Sequence, residues 1–282
     1  MECVKITLPL CNSQHSLWSL EQLAPGTSIY NQVVLVRFEG LLDPAGLRAA
    51  LTRLLARHGA LRTVFRATAD GPVQQVLSRV AADCPLEDLS ALPERCRDAV
   101  AHQRISEVRR QLFDLARGPL LRFRLFRSGP RRHELLIVVH HLVLDGRSAQ
   151  IFVDDLIAFY LGADPAPPPL RYDELVLREA ALALEGREAG ARFWRSFLGA
   201  APKLFEVPTD RPRPQRTLLP AGNLSRLLPA DLGARVAACA REQRTSTFRL
   251  LVAAFSLLLH RITGETEVVV AATFPGRGRP GA

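Results

Sequence analysis

Residues 135–146 read LLIVVHHLVLDG, a run of five apolar residues followed by two histidines and an Asp-Gly pair. A short run without polar residues predicts a central β-strand that is buried on both faces. The residues after it repeat apolar side chains at helical spacing, up to a glycine that ends the repeat. The predicted helix face contains Val153, Leu156, Ile157 and Tyr160, and Gly162 ends the helix. The stretch therefore predicts strand, loop and helix in succession, and in α/β folds such loops commonly carry the functional groups.

Other segments extend this mixed pattern in both directions. The sequence predicts a helix that starts with Asp43 as N-cap and Pro44 in its first turn, and that stops at Gly59. Five residues of this helix, Leu47, Ala50, Leu51, Leu54 and Leu55, form its predicted buried face. Alternating apolar and arginine residues predict a half-buried strand from Leu120. Further elements are predicted as helices at 174–199, after Asp231 and at 247–263, and as strands near 223–228 and at 267–273.

The segment ADPAPPP at 163–169 is the predicted linker. Proline lacks the backbone N–H that helices and sheets use, and consecutive prolines stiffen an extended chain. We therefore predict an N-terminal lobe over residues 1–169 and a second lobe over 170–282. The order of helices and strands places both lobes in the α/β class.

The composition narrows the class of protein. The chain has 282 residues, 48% of them hydrophobic, and a formal charge of +9. Nearly all the cations are arginines spread along the chain without a recognition motif, which argues against nucleic-acid binding. Five scattered cysteines without metal-ligand spacing indicate reduced thiols, and we see neither a membrane span nor an export signal. The expected protein is cytoplasmic and binds no metal.

The paired histidines are the main candidates for chemistry. Adjacent residues of a strand point to opposite faces, so His140 and His141 cannot both address one small ligand, which counts against a metal site. One ring is expected to face a cleft and the other to pack inward. Asp145 and Gly146 form a predicted turn with a carboxylate that needs a partner if it is buried. The alternative is that the histidines only cap a strand and that the Asp-Gly turn has no chemical role.

Six sequence blocks that occur in a fixed order favour a chemical role for the histidines over a purely structural one. They are SQHSLWSLEQLAPGTSIYN (13–31), RHGALRTVF (57–65), FDLARGPLLR (113–122), HHLVLDGRS (140–148), FWRSFLGAAPKLFEVPTDRPRP (193–214) and FRLLVAAFSLLLHRITGETEVVVAATFPGRGRP (248–280). Together they resemble the condensation domain of nonribosomal peptide synthetases, from about Leu8 to Pro280.

The resemblance implies a chloramphenicol-acetyltransferase-like fold of two lobes, with the first lobe complete and the second partial in this chain. It also implies amide-bond formation between a donor acyl or peptidyl thioester and an acceptor aminoacyl thioester. Both substrates are carried on the phosphopantetheine of partner carrier proteins, so the domain itself binds no cofactor. The implied partners are donor and acceptor carrier proteins and neighbouring synthetase domains, with no nucleic acid and no membrane.

Residue roles follow from the same resemblance. His141, the second histidine of HHxxxDG, is implied to be the catalytic residue, while His140 packs inward. Asp145 is implied to be structural and to pair with Arg62 of the RTxF block. Gly146 matches the glycine whose backbone faces the reacting groups. Whether His141 removes a proton or only orients the amine stays open at this point.

Departures from the family pattern raise further questions. The usual Glu of the RHExLRTxF block is Gly59, the early Ser is Cys11, and the Trp after HHxxxDG is Arg147. We hypothesise that Arg147 faces the mouth on the carrier-protein side and binds a phosphate or an acidic partner. Arg277 matches an arginine that the family places near the crevice. Two alternatives to carrier-based condensation are an acyltransferase that uses a free amine or alcohol, and a non-catalytic carrier-binding module.

Overall fold

The computed structural model describes residues 3–199, 206–212 and 224–272. The chain forms two compact units that divide between Glu188 and Ala189. The division falls later than the predicted lobe boundary after residue 169, because the helix that follows the linker begins on the first unit. Tyr172 and Val176 of that helix join a small apolar cluster there, and a Cβ at Gly59 would lie only 3.1 Å from Cβ of Tyr172. The assignment of lobes to 1–169 and 170–282 stays a prediction.

The first unit is a mixed α/β structure. Its elements are β1 (Val4–Pro9), α1 (Asn12–Leu23), β2 (Asn31–Glu39), α2 (Pro44–Arg57), β3 (Thr63–Thr68), β4 (Gly71–Leu77), β5 (Leu86–Asp88), α3 (Glu94–Arg110), β6 (Leu121–Gly129), β7 (Arg132–His140), α4 (Gly146–Tyr160) and the start of α5 (Tyr172–Leu198). They form a three-stranded sheet in the order β1-β4-β3 and a four-stranded sheet in the order β2-β7-β6-β5.

The strand β7 occupies the interior of the four-stranded sheet, as its apolar sequence predicts. It pairs antiparallel with β2 on one side and with β6 on the other. Leu135, Ile137 and Val139 pack into the main core, to which α2 and α4 also contribute. Leu136 and Val138 join a second core with residues of α3. Both faces of the sheet are therefore covered, which explains why this strand has no alternating polar residues.

The helix α2 confirms the prediction made from its capping residues. The Asp43 carboxylate accepts a hydrogen bond from the backbone N–H of Ala45, and Pro44 begins the helix. The five residues predicted for its inner face are the ones that are buried. A 3₁₀ turn, Gly59–Arg62, follows the helix and leads into β3.

The inner face of α4 differs from the predicted one. Its buried side chains are Phe152, Leu156 and Phe159, whereas Ile157 is 42% exposed. The prediction for Ile157 was wrong because the helix is apolar on more than one side, and periodicity alone does not show which side meets the sheet. The helix ends at Tyr160, two residues before Gly162, whose φ of +82° favours glycine.

The linker at 163–169 has neither helix nor strand. It is fastened to the first unit by arginines of α2: Arg57 donates to the carbonyls of Pro165 and Ala166, and Arg53 pairs with Asp164. The linker is therefore held against α2 along part of its length.

The second unit contains the end of α5, α6 (Ala230–Glu242) and α7 (Thr247–Thr263). The predicted helices are confirmed, and α7 begins at the Ser246 cap and ends at Gly264 in a left-handed conformation. The two predicted strands are not formed in their described parts, since 224–229 and 267–272 are irregular; residues 223 and 273 lie outside the described residues. A strand requires a pairing partner, and the described residues of this unit provide none.

Across the described residues, no single helix is long and apolar enough to cross a membrane. The helices α6 and α7 meet the requirement only as a pair, which is bent by 102°.

Candidate active site

The paired histidines lie where β7 ends and the chain turns toward α4. His140 is the last residue of the strand, and His141 begins the turn. The backbone N–H of His141 donates to the carbonyl of Tyr30 at 2.9 Å, and that of Val143 donates to the carbonyl of His140 at 3.1 Å. The argument from strand alternation placed both histidines within the strand. The structure corrects this: the turn, and not the pleat of the sheet, sets the direction of His141.

A backbone contact within the turn holds the His141 ring. Its Nδ1 lies 3.0 Å from the carbonyl oxygen of Leu144. A carbonyl oxygen only accepts hydrogen bonds, so this contact assigns the proton of a neutral ring to Nδ1. Nε2 then carries the lone pair and is able to accept a proton. The side chain is half-buried, in contrast to its neighbour.

His140 packs inward, with only 3% of its surface exposed. Its Nδ1 accepts a hydrogen bond from the backbone N–H of Leu142 at 3.2 Å, so Nε2 carries the proton and donates to the Glu21 carboxylate at 3.1 Å. The rings of Phe113 and Tyr30 lie beside it, at 6.1 and 6.2 Å between ring centroids. Burial lowers the pKa of His140 below its usual value, although Glu21 opposes that shift.

Among the described residues, Arg62 and Asp145 do not form the predicted ion pair, and that prediction was wrong. The Arg62 guanidinium is 8% exposed and donates to four backbone carbonyls, those of Leu55, Ala56, Leu77 and Ser78. Arg62 thus joins the end of α2 to the end of β4, and burial lowers its pKa. Asp145 caps α4 instead, where its carboxylate accepts from the backbone N–H of Ser148 at 2.7 Å.

An open groove of about 460 Å³ adjoins the start of α4. It is lined by Asn31, Gln32, Val33 and Val34 of β2, Arg109 of α3, and Gly146 and Ala149 of α4. The predicted substrate-facing Gly146 therefore faces an open space. Arg147 is exposed but is not among the lining residues. Arg277 lies outside the described residues.

Arg109 is a groove residue that the sequence did not single out. Its position is fixed by Asn31, whose side-chain amide donates to the carbonyls of Arg109 and Gln111 at 2.7 and 3.0 Å. Arg109 stands 32 residues before His141 in an arginine-rich helix, and none of these arginines is distinguished by sequence alone. Only the folding of α3 against β2 brings this one to the groove.

Gln14 of α1 is a second residue that contacts the site, and it is buried, with 6% of its surface exposed. Its side-chain amide donates to the carbonyl of Leu142 at 3.2 Å, immediately after His141. Glu21 lies seven residues later on the same helix and contacts His140. Sequence reasoning did not select Glu21, because a glutamate on an amphipathic helix looks like any other surface carboxylate.

The described parts of the chain, 3–199, 206–212 and 224–272, hold no group of three His, Cys, Asp or Glu side chains placed to bind a metal ion. All five cysteines are free thiols.

Comparisons with known proteins agree on one family. The family model described as "Condensation domain" matches residues 4–282. The chain is 35% identical over 278 residues to phosphinothricin tripeptide synthetase PhsB of Streptomyces viridochromogenes, covering 96% of this chain and 23% of that protein. It thus spans about a quarter of that relative's length.

Two solved structures show the same fold. One is holo-AB3403, a four-domain nonribosomal peptide synthetase bound to AMP and glycine, with a TM-score of 0.80 and 20% identity over 94% of this chain and 20% of that chain. The other is the X-domain from teicoplanin biosynthesis in complex with OxyB, with a TM-score of 0.75 and 29% identity over 93% of this chain and 59% of that chain.

The carbonyl contacts of Arg62 predict a large effect on stability. In Arg62→Met, the buried carbonyls of Leu55 and Leu77 lose their donor, at a cost of about 1–3 kcal/mol each. Urea unfolding followed by circular dichroism measures the loss. The matched control is Arg66→Met on the exposed end of β3, which is expected to change stability by less than about 0.5 kcal/mol. Equal midpoints for the two variants would contradict the role given to Arg62.

The environment of His140 predicts a dependence of stability on pH. Its folded pKa is lower than its unfolded pKa, so the unfolded chain binds the proton first as the pH falls. The free energy of unfolding should therefore decrease below about pH 6.5, the ordinary pKa of histidine, by up to about 1.4 kcal/mol per pH unit. Urea titrations between pH 5 and pH 8 should show a shallower slope for His140→Asn than for the parent chain. Parallel curves would contradict this account.

Proposed function

This chain belongs to the condensation-domain family of nonribosomal peptide synthetases, and we propose that it joins an acyl or peptidyl thioester to the amine of an aminoacyl thioester. The observation that supports this reaction is the His141 ring, whose Nδ1 donates to the Leu144 carbonyl and whose Nε2 is left with its lone pair. The fold is the chloramphenicol-acetyltransferase-like fold of that family. Acyl transfer is the chemistry that the family implies.

The proposed chemistry begins with the acceptor amine. An α-amine has an ordinary pKa of about 7.7–8.0 and is largely protonated at neutral pH. In the proposed step the neutral form of the amine attacks the thioester carbonyl, His141 Nε2 takes the proton that the nitrogen loses as the C–N bond forms, and His141 passes this proton to the donor thiolate as the C–S bond breaks. General-base assistance of this kind contributes roughly 10²–10⁴-fold. Holding two tethered substrates together contributes at least as much, since intramolecular reactions gain about 7–11 kcal/mol.

The groove beside Gly146 is the proposed route for one of the substrates. Gly146 has no Cβ, and nothing lies within 4 Å of the position that a Cβ would take, so the space at the start of α4 is open. An extended pantetheine arm suits an open groove better than a closed pocket. We propose that donor and acceptor carrier proteins deliver the substrates, and that the chain itself binds no cofactor.

Arg147 and Arg109 are proposed to recognise the phosphate of the pantetheine arm. Arg109 lines the groove, and Arg147 follows Gly146 in the first turn of α4. Both side chains are exposed, so each charge is available to a phosphate that enters from solvent. Arginine binds phosphate oxygens through its planar guanidinium, which favours this role over a general surface charge.

A second candidate function is that of a recruiting module. The X-domain that resembles this chain was solved in complex with OxyB, so one relative of similar fold binds another protein. Under this alternative, the chain would bind carrier proteins without forming product. The His141 geometry favours the catalytic proposal, because a recruiting module has no use for an available Nε2.

The His141→Ala variant tests the reaction. Two carrier proteins, one with a donor acyl group and one with an aminoacyl group, are mixed with the chain and followed by intact-protein mass spectrometry. We expect the acyl mass to move from donor to acceptor carrier, and the rate to fall by at least about 10²-fold in His141→Ala. The exposed histidine variant His102→Ala serves as the matched control and should keep the parent rate. Transfer that is equally fast in His141→Ala would contradict the role of this histidine, and carrier binding without any transfer would favour the recruiting module.

The arginine proposal makes a separate prediction about binding. Arg147→Ala and Arg109→Ala should each weaken binding of a holo-carrier protein by about 2- to 5-fold, the size of an exposed charge interaction, and should reduce its salt dependence. The apo-carrier, which lacks the phosphopantetheine phosphate, should bind both variants as it binds the parent. Arg110→Ala, one residue away on α3, is the control. Isothermal titration at two salt concentrations measures these affinities, and equal losses for holo- and apo-carrier would contradict phosphate recognition.

A further inference from the structure

The helix α1 fixes both the N–H and the carbonyl group of Leu142, one through the His140 ring and the other directly. Gln14 of α1 donates directly to the Leu142 carbonyl at 3.2 Å. The Leu142 N–H donates to Nδ1 of His140, whose Nε2 donates in turn to Glu21 of α1. Gln14 and Glu21 are seven residues apart, or about two helical turns, so they lie on the same face of α1. Leu142 directly follows His141, and α1 therefore fixes the backbone on one side of that residue.

Gln14 is itself held in one orientation. Its Oε1 accepts from the backbone N–H of Cys11 at 2.9 Å and from Nε2 of Gln74 at 3.0 Å. Its Nε2 also lies 3.1 Å from the hydroxyl of Tyr172, whose own proton is directed at Gln74. Because the oxygen faces two donors, the amide cannot flip without losing both. The donor aimed at Leu142 is thus fixed by contacts to residues outside the turn, namely Cys11 and Gln74.

Glu21 sets the tautomer of His140 in the same way. A carboxylate accepts and does not donate, so it selects the ring form with the proton on Nε2. That form leaves Nδ1 free to accept from Leu142. Without Glu21, the ring is free to take its other tautomer, in which Nδ1–H would face the Leu142 N–H, donor against donor. The carboxylate therefore acts on the turn through the His140 ring.

We propose that Glu21 and Gln14 are positioning residues for His141. They fix the peptide of Leu142, and the fixed turn places the Leu144 carbonyl 3.0 Å from His141 Nδ1. That last contact directs the Nε2 lone pair. This inference rests on the proposed function, in which Nε2 of His141 accepts the proton, and it assigns to α1 a part in the reaction that touches neither substrate.

Nitrogen NMR of the histidine rings tests this inference without any substrate. The chain is labelled with ¹⁵N-histidine, and the signals of His140 and His141 are assigned from single His→Gln variants. In the parent chain, we expect His141 to carry its proton on Nδ1 and His140 to carry it on Nε2. Glu21→Ala should turn both rings into tautomer mixtures. Glu21→Gln keeps an acceptor oxygen and should restore the parent spectrum, while Gln22→Ala, on the exposed side of α1, is the matched control.

Gln14→Met supplies an independent arm, because it removes the donor to the Leu142 carbonyl and leaves Glu21 in place. It should shift the His141 signals while His140 keeps its tautomer. The carrier assay should show a fall in kcat of up to about 100-fold for Glu21→Ala and Gln14→Met, with KM nearly unchanged, since a misplacement of about 1 Å costs about that much.

The outcomes separate this inference from the proposed function. Unchanged His141 signals in folded Glu21→Ala and Gln14→Met would overturn it, even if His141→Ala abolishes transfer. The milder variant Glu21→Asp keeps the charge but shortens the side chain, and we expect it to fold and to shift His141 partially. Loss of folded protein in both Glu21→Asp and Glu21→Ala would also overturn it, because Glu21 would then act on the stability of the first unit. Shifted His141 signals with full activity in His141→Ala would instead contradict the proposed function alone.

Discussion

The burial of β7 on both faces is the constraint from which the site follows. A strand enclosed between two cores cannot carry a polar side chain without supplying its hydrogen bonds, so the apolar run continues for the full width of the core. His140 is the first polar side chain after that run, and it is still buried. Its two ring nitrogens must therefore find partners, and they find them in the chain that leaves the strand and in the helix that packs over its end. The neighbouring His141, which we propose to be the catalytic residue, is oriented as a consequence of that demand.

The sequence predicts a helix or strand correctly where the residues of that element alone determine it. The α2 helix is specified by the Asp43 cap, the Pro44 start and a single leucine-rich face, and its buried residues agree one by one. The α7 helix is specified in the same manner by Ser246 and Gly264. The strand β7 is also local in this sense, because an apolar run of its length fits only an enclosed position. The HHxxxDG segment could accordingly be placed at the end of a buried strand from the sequence.

Contacts between residues that are distant in sequence could not be predicted in the same way. Arg62 was expected to find a carboxylate, but the end of a helix and the end of a strand offer it four carbonyl oxygens. The five donors of a guanidinium can be satisfied by carbonyl oxygens as well as by a carboxylate, and a sequence does not show which acceptors fold around it. The same holds for Glu21, which meets His140 across 119 residues. The expected strands are not formed over the described residues 224–228 and 267–272 for a related reason, since a strand depends on a partner that its own sequence does not contain.

The Glu21–His140 contact is difficult to explain as a contribution to stability. Taking a carboxylate and an imidazole out of water costs several kcal/mol, and well-packed apolar residues of similar size often stabilise a core equally well or better. An apolar pair would, however, leave the Leu142 N–H without an acceptor and would set no tautomer. The polar pair, unlike an apolar pair, fixes the orientation of hydrogen bonds. It places one defined acceptor at Nδ1 of His140 and, through the Leu142 peptide, gives one defined conformation to the turn that carries His141. The arrangement at the end of β7 is therefore better explained by the orientation of the His141 ring, in the role proposed for it, than by the free energy of folding.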